Sequence, residues 1–272
     1  MDGAAVAGMQ VSKVGFGGPA LFFVHGFACD SSDWAAQVQA FADRTTTVTC
    51  DLPGHGQSPA VPGGQTIGAY GAQVVRALDE LAVSPAVLVG HSMGCRVVLE
   101  AARLNPDAVA GLVLIDGSRI GEGDPVAAEK AMADELMGDG YPRFVRAFFE
   151  SMFVASSDPQ LVRSITERAQ RLSPTVGRPL MVDVAGWDAG EAVSALAAVR
   201  VPLLAIQSTT MDTARKRVPL EPGVDSPWLD LVRATVPTAV AAELHGAGHF
   251  PHIERADEVA ALIERFVWPH GV

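Results

Sequence analysis

The chain has 272 residues, of which 49% are hydrophobic and 19% charged, and its net charge is −11. That length and apolar content suit one globular α/β domain with an insertion and exclude a disordered chain. The acidic balance argues against nucleic acid and against an anionic membrane surface as partners.

In chain order, Gly15-Phe16-Gly17-Gly18 predicts a turn. A strand follows it and not a helix, so it is no phosphate cradle. Ala20-Leu21-Phe22-Phe23-Val24 is that first clear strand. Residues 31–44 predict a helix, with Asp30 or Ser31 as N-cap. The β-branched run Thr46 to Cys50 is a second strand, ending at Asp51. A helix over 66–81 precedes a strand over 86–90, and a helix over 93–104 follows it. Residues 111–115 form the next strand, ending at Asp116-Gly117; later strands are expected at 201–206 and 240–244, with a last helix at 257–267. Between them, 118–200 holds no convincing strand and reads as short helices near 125–138, 142–154, 158–172, 178–188 and 190–198. Strand–helix alternation with fully apolar strands predicts a mostly parallel central sheet flanked by helices. The core is expected to comprise 1–117 and 201–272, and 118–200 a helical cap.

The most informative stretch is Gly90-His91-Ser92-Met93-Gly94. A G-x-S-x-G pattern between an apolar strand and a helix is the setting of a nucleophile elbow, a strained turn that lifts a serine Oγ above the sheet. Small flanking residues let neighbouring backbone approach. Such a serine needs a base, a group to orient the base, and two oxyanion donors. His249, in Gly246-Ala247-Gly248-His249-Phe250, follows the last strand in a tight glycine loop and is the candidate base; His252 is the nearest rival. The donors are expected to be the Met93 amide and the Phe27 amide, the latter in the loop His25-Gly26-Phe27-Ala28.

These four motifs, His25-Gly26-Phe27, Asp51-Leu52-Pro53-Gly54-His55-Gly56-Gln57-Ser58, Gly90 to Gly94 and Gly246 to Phe250, occur in the order of the α/β-hydrolase superfamily. The chain resembles that family over nearly its whole length, most closely the esterase, haloperoxidase and C–C hydrolase-like branch. The resemblance implies the α/β-hydrolase fold with a helical cap after the sixth strand. The family's first one or two strands are expected to be short or missing, since about nineteen residues precede Ala20. In the family the loop Asp51 to Ser58 shapes the pocket edge and carries no chemistry.

The acid stays open. Most of the family places it after the seventh strand, where Asp212 stands here; the loop lacks the family's glycine, and Asp212 could pair instead with Arg215, Lys216 and Arg217. A subset places it after the sixth strand, where Asp116 stands. Asp116 comes first, Asp212 close beside it, and Glu221 and Asp225 behind.

The function implied is a cofactor-independent serine hydrolase that cleaves a small or medium apolar ester or lactone through an acyl-enzyme. A serine at position 92 argues against dehalogenase and epoxide-hydrolase chemistry, which in this superfamily uses an aspartate there. C–C bond hydrolysis or perhydrolysis of the haloperoxidase kind in the same pocket is the first alternative. The second is a ligand receptor built on the fold. Val145, Phe148, Phe149 and Met152 share one helix face, and Phe148, Phe149 and Met152 are expected to line the substrate pocket. Cys29, Cys50 and Cys95 supply no disulfide framework and no metal spacing, so neither a metal nor a cofactor is expected. Met1-Asp2-Gly3-Ala4-Ala5 lacks the basic start of a signal peptide and no apolar run spans a bilayer; a soluble, cytoplasmic chain with no membrane partner is expected.

Overall fold

The computed structural model describes residues 4–212 and 217–269. The opening residues Met1 to Gly3, read above for a leader, lie outside the described residues, as do Arg215 and Lys216. Two strands, β1 (Ala4–Val6) and β2 (Met9–Val14), precede β3 (Ala20–Val24). Of the strands expected to be short or missing, neither is missing, and β1 is short, with 3 residues. Ala7 and Gly8, with φ of 51° and 79°, turn the chain within two residues. A tight turn with both central φ positive joins antiparallel strands at minimal length. The β1–β2 hairpin therefore fits into the space before Ala20.

The chain continues through α1 (Ala35–Phe41), β4 (Thr47–Asp51), α2 (Ile67–Glu80), β5 (Ala86–His91), α3 (Met93–Leu104) and β6 (Val109–Ile115). Five helices follow without a strand: α4 (Pro125–Glu135), α5 (Gly140–Glu150), α6 (Pro159–Gln170), α7 (Pro174–Gly190) and α8 (Ala192–Ala197). Then come β7 (Leu203–Gln207), β8 (Thr209–Met211), β9 (Arg217–Pro219), α9 (Pro227–Thr235), β10 (Val240–Glu243), α10 (Pro251–Glu254) and α11 (Ala256–Val267). The main sheet has eight strands in the order β1-β2-β4-β3-β5-β6-β7-β10. All neighbours from β4 to β10 pair parallel, and the first two pairings are antiparallel.

Period-two alternation divides the strand side chains between two cores. Phe22 and Val24, Leu88, Leu112 and Leu114, and Leu203 and Ala205 face one side, with Val74 and Val97 of α2 and α3. Leu21 and Phe23, Val87 and Val89, Val113 and Ile115, and Leu204 and Ile206 face the other, with Phe41 of α1 and Val259 and Ile263 of α11. Burial on both faces is why these strands read as unbroken apolar runs. Helix starts follow local chemistry: Thr66 Oγ1 accepts from the Ala69 amide at 3.0 Å, and Asp124 Oδ1 from the Ala127 amide at 2.9 Å. Helix α7 begins at Pro174 and not near 178, because Ser173 caps it with proline in the first turn. The loop that carries Asp212 lies between β8 and β9, which pair antiparallel.

One buried ion pair ties the helical insertion to the sheet core. Arg96 of α3 donates from Nε and Nη2 to the two carboxylate oxygens of Asp188 in α7, both at 2.7 Å. Asp188 also accepts from the Ile120 amide at 2.7 Å, and Arg96 donates to the carbonyls of Ser92 and Ser118 at 3.3 and 2.7 Å. Removing one partner strands a charge in a dry interior. Asp188→Ala is expected to cost about 3–5 kcal/mol in urea unfolding. Glu264→Ala, which breaks the half-exposed pair with Arg44, is expected to cost about 1 kcal/mol or less.

Candidate active site

The site forms at the carboxyl ends of β5, β6 and β7, where the chain turns sharply. Ser92 follows β5 with φ of 54°, a left-handed conformation forced on a non-glycine residue. The turn closes because its flanks are glycines. A Cβ on Gly90 would overlap the Gly94 carbonyl, and one on Gly94 would overlap the Val24 carbonyl. The Ser92 amide donates to the Ile115 carbonyl at 2.9 Å, which fixes the turn against β6. Ser92 is 9% exposed. Met93 is the first residue of α3, so its amide lacks an intrahelical partner and points with the helix N-terminus.

Asp116 follows β6 and has φ of 48°. Its carboxylate is wholly buried and fully bonded. Oδ1 accepts from the Ser208 and Thr209 amides at 2.7 and 2.8 Å. Oδ2 accepts from Thr209 Oγ1 at 2.5 Å and from His249 Nδ1 at 2.5 Å, with Arg217 Nη1 at 3.3 Å. The other imidazole nitrogen, Nε2, lies 2.8 Å from Ser92 Oγ. An ionised carboxylate only accepts, so Nδ1 carries the imidazole proton and Nε2 is left to accept from the serine hydroxyl. Ser92, His249 and Asp116 thus form one hydrogen-bonded chain.

The loop bearing His249 is held from three sides. Its amide donates to the Met152 carbonyl at 2.7 Å, His91 Nε2 donates to its carbonyl at 2.7 Å, and Ser208 Oγ donates to the Gly248 carbonyl at 2.7 Å. Asp212 is exposed, as are Glu221 and Asp225, and the Asp116 carboxylate occupies His249 Nδ1. The expectation that Arg217 pairs with Asp212 is corrected, because Arg217 turns inward to Asp116. Phe27 is buried in a loop that packs against the serine: a Cβ on Gly26 would stand 3.2 Å from both His91 Nδ1 and Ser92 Cβ. His252 is buried beside Trp34 and His91, its rings centred 4.5 and 4.3 Å from theirs, and it makes no bond to Ser92 or Asp116.

Burial shapes the proton affinities here. It pushes His249 down to about 4; Arg217 adds to this and the bond to Asp116 opposes it. Burial alone would raise Asp116, but the bond and charge of His249, then Arg217 and Thr209, hold it below the usual carboxylate range. At neutral pH the pair is a carboxylate beside a neutral imidazole. The three cysteines are buried and unpaired, and no cluster of metal-ligating side chains occurs among the described residues.

A cleft of about 760 Å³ opens between α4, α5 and α7, lined by Ala127, Ala131, Met132, Phe144, Phe148 and Ala185. Arg217 lines it too, and also borders a smaller cleft of about 380 Å³ beside Gly117 and Trp228. Of the residues expected to line a pocket, Phe148 faces the larger cleft. Phe149 and Met152 turn into the core, 1% and 3% exposed, and do not line it. Periodicity puts residues on one helix face without saying how far around that face the cleft extends. The sequence pattern gives no sign of a role for Thr209 or Arg96, and it offers Arg217 only as a partner for Asp212. A basic residue in a polar loop and an arginine inside an amphipathic helix carry no local sign of burial.

With the geometry described, the chain can be compared with known proteins. Residues 21–262 match the profile described as "Alpha/beta hydrolase family". The chain belongs to the alpha/beta hydrolase family. Over 125 residues it is 38% identical to the dihydrolipoyllysine-residue acetyltransferase component of the acetoin cleaving system of Cupriavidus necator, covering 45% of this chain and 33% of that protein. The chain thus spans about a third of the length of such acetyltransferase components. Over 257 residues it is 25% identical to the pimeloyl acyl-carrier-protein methyl ester esterase of Methylococcus capsulatus, covering 92% and 95% of the two chains. An esterase from Thermogutta terrifontis superposes with a TM-score of 0.78 at 23% identity, covering 94% of this chain and 92% of that one, which shows a shared fold. No helix among the described residues is long and apolar enough to cross a membrane.

The buried histidines set the acid stability. His55 and His252 are pushed down to about 3 and His249 to about 4, in each case first by burial. In the unfolded chain each titrates near about 6.5. As pH falls below that value the unfolded chain takes up protons that the folded one refuses, so stability declines. Urea midpoints are expected to be flat above about pH 7 and to drop steadily between about pH 6.5 and 4.

Proposed function

We propose that this hydrolase-family chain cleaves a small or medium apolar carboxylic ester or lactone by serine catalysis, with Ser92 as nucleophile, His249 as base and Asp116 as orienting acid. The observation that carries the reading is the continuous hydrogen-bonded chain from Ser92 Oγ through His249 to Asp116. The full-length similarity to a methyl ester esterase supports the ester as substrate class.

In this mechanism His249 Nε2 takes the Ser92 proton as Oγ attacks the substrate carbonyl. The imidazolium that forms is stabilised by Asp116, which stays ionised. The developing oxyanion is held by the amides of Met93 and Phe27, one at a helix N-terminus and one on the loop pressed against Ser92. His249 then returns its proton to the leaving alcohol, and an acyl-enzyme remains. Water deprotonated by the same imidazole releases the acid and regenerates Ser92. In this reading the substrate body lies along the apolar wall of the larger cleft, which is lined by neither Ser92 nor His249 and meets the Asp116 end of the site through Arg217. The soluble, cytoplasmic setting expected from the sequence is part of this reading.

Four variants test it. Ser92→Ala is expected to abolish fluorophosphonate labelling and to cut hydrolysis of p-nitrophenyl acetate by roughly 10⁴-fold or more. Asp116→Asn is expected to lose about 10⁴-fold through the wrong imidazole tautomer, while Asp212→Asn stays within about twofold of wild type. Phe148→Ala is expected to weaken cleavage of longer acyl esters by about 10-fold relative to acetate. Full esterase activity in purified Ser92→Ala would refute the mechanism. The acid limb has a definite sign: His249 must be neutral to act, so labelling is expected to persist well below pH 6.5 and to fail as pH approaches about 4.

A further inference from the structure

The reaction steps leave one group at the acid end unused. Arg217, 5% exposed, reaches inward from β9. Its Nη1 stands 3.3 Å from Asp116 Oδ2 and donates to Thr209 Oγ1 at 2.6 Å, and its Nη2 donates to Ser118 Oγ at 3.2 Å. A guanidinium has donors only, so Thr209 Oγ1 must accept from it and send its own proton elsewhere. That proton goes to Asp116 Oδ2 at 2.5 Å. The oxygen that receives His249 is thus flanked by a fixed cation and by a hydroxyl that the cation orients.

The charged and titratable groups around His249 are few. Asp116 faces it from the end of β6, Arg217 from β9 and Arg96 from α3; His91 and His252 pack nearby from β5 and α10. Among these groups Asp116 favours an imidazolium, through its bond and its charge, and the Glu254 carboxylate of α10 stands against the Gly248 backbone. Arg96 is engaged by both oxygens of Asp188. Arg217 is therefore the cation available to Asp116 among the described residues. A buried carboxylate with no such partner would draw a proton onto the imidazole beside it, because a charge pair costs less there than a lone anion.

We propose that Arg217 is a positioning residue: it is the permanent counter-ion of Asp116, and it keeps His249 neutral and ready to accept the Ser92 proton. The proposal rests on the serine mechanism above. The fork geometry explains why arginine stands here, since one planar group meets Asp116, Thr209 and Ser118 together.

The test is the pH profile of fluorophosphonate labelling of the full chain, for wild type, Arg217→Gln and Arg217→Lys, with a melting curve for each. Arg217→Gln is expected to move the acid limb upward by about one pH unit, since the imidazolium loses a neighbouring like charge that disfavours it. Arg217→Lys keeps a cation without the fork, and its limb is expected to lie closer to wild type than that of Arg217→Gln. A folded Arg217→Gln with an unmoved limb overturns the proposal. So does an equal loss at every pH that lysine fails to rescue, which is the mark of a merely structural residue. If Arg217→Gln does not fold, Arg217→Met, which removes the charge and keeps the apolar stem, takes its place in the same profile: a limb raised by about one unit supports the proposal, and an unmoved limb overturns it. Labelling that persists in Ser92→Ala would sink the underlying mechanism, whereas Ser92-dependent labelling with an unmoved limb sinks the role of Arg217 alone.

Discussion

A carboxylate with no exposure to water is the constraint around which this molecule is arranged. Asp116 must be compensated inside the protein, and the donors come from three separate places in the chain. The Ser208 and Thr209 amides bond one oxygen. Thr209 Oγ1, His249 and Arg217 face the other. Each of those groups is thereby placed: the β7 exit bends back over β6, the β8–β9 hairpin folds its arginine inward, and the last loop presents its imidazole at a fixed tilt. Losing any one donor leaves part of a buried charge unmet, so the arrangement holds as a unit.

A second buried charge cluster performs a different task. Arg96 and Asp188 join α3, whose N-cap is Ser92, to α7 in the helical insertion, and they take in the carbonyls of Ser92 and Ser118 and the amide of Ile120. Arg168 of α6 adds a second clasp through Asp30 and Asp33. The insertion is therefore registered on the core by directional bonds as well as by its apolar faces. Apolar packing alone is non-directional and would leave its placement over the sheet less defined.

Much of this was legible along the chain. The apolar runs at 20–24, 86–90 and 111–115 announce strands covered on both faces, and Gly90 to Gly94 announces the turn that carries Ser92. What stayed hidden has physical reasons. The β1–β2 hairpin was missed because its turn is only Ala7-Gly8, with one of the two residues in the left-handed region an alanine. The inward turn of Arg217 was missed because a cation next to Asp212 reads locally as a solvated surface charge. Phe149 and Met152 share the helix face of Phe148 but are buried, because a helix period gives a face and not a depth.

By itself the sequence determined the strand–helix alternation, the turn at Ser92 and the glycine loop at His249. Each depends on interactions between residues close together in the chain, and local sterics and periodicity encode such interactions. Tertiary structure alone decided which carboxylate meets His249. Asp116 and Asp212 lie beyond the carboxyl ends of neighbouring strands, β6 and β7, and their local sequences make both plausible. Only the folded chain shows that the Asp116 carboxylate lies 2.5 Å from Nδ1, buried among donors from the β7 exit, β8 and β9, while Asp212 stays exposed. A bond between residues 133 positions apart is a property of the assembled sheet, and no window of sequence contains it.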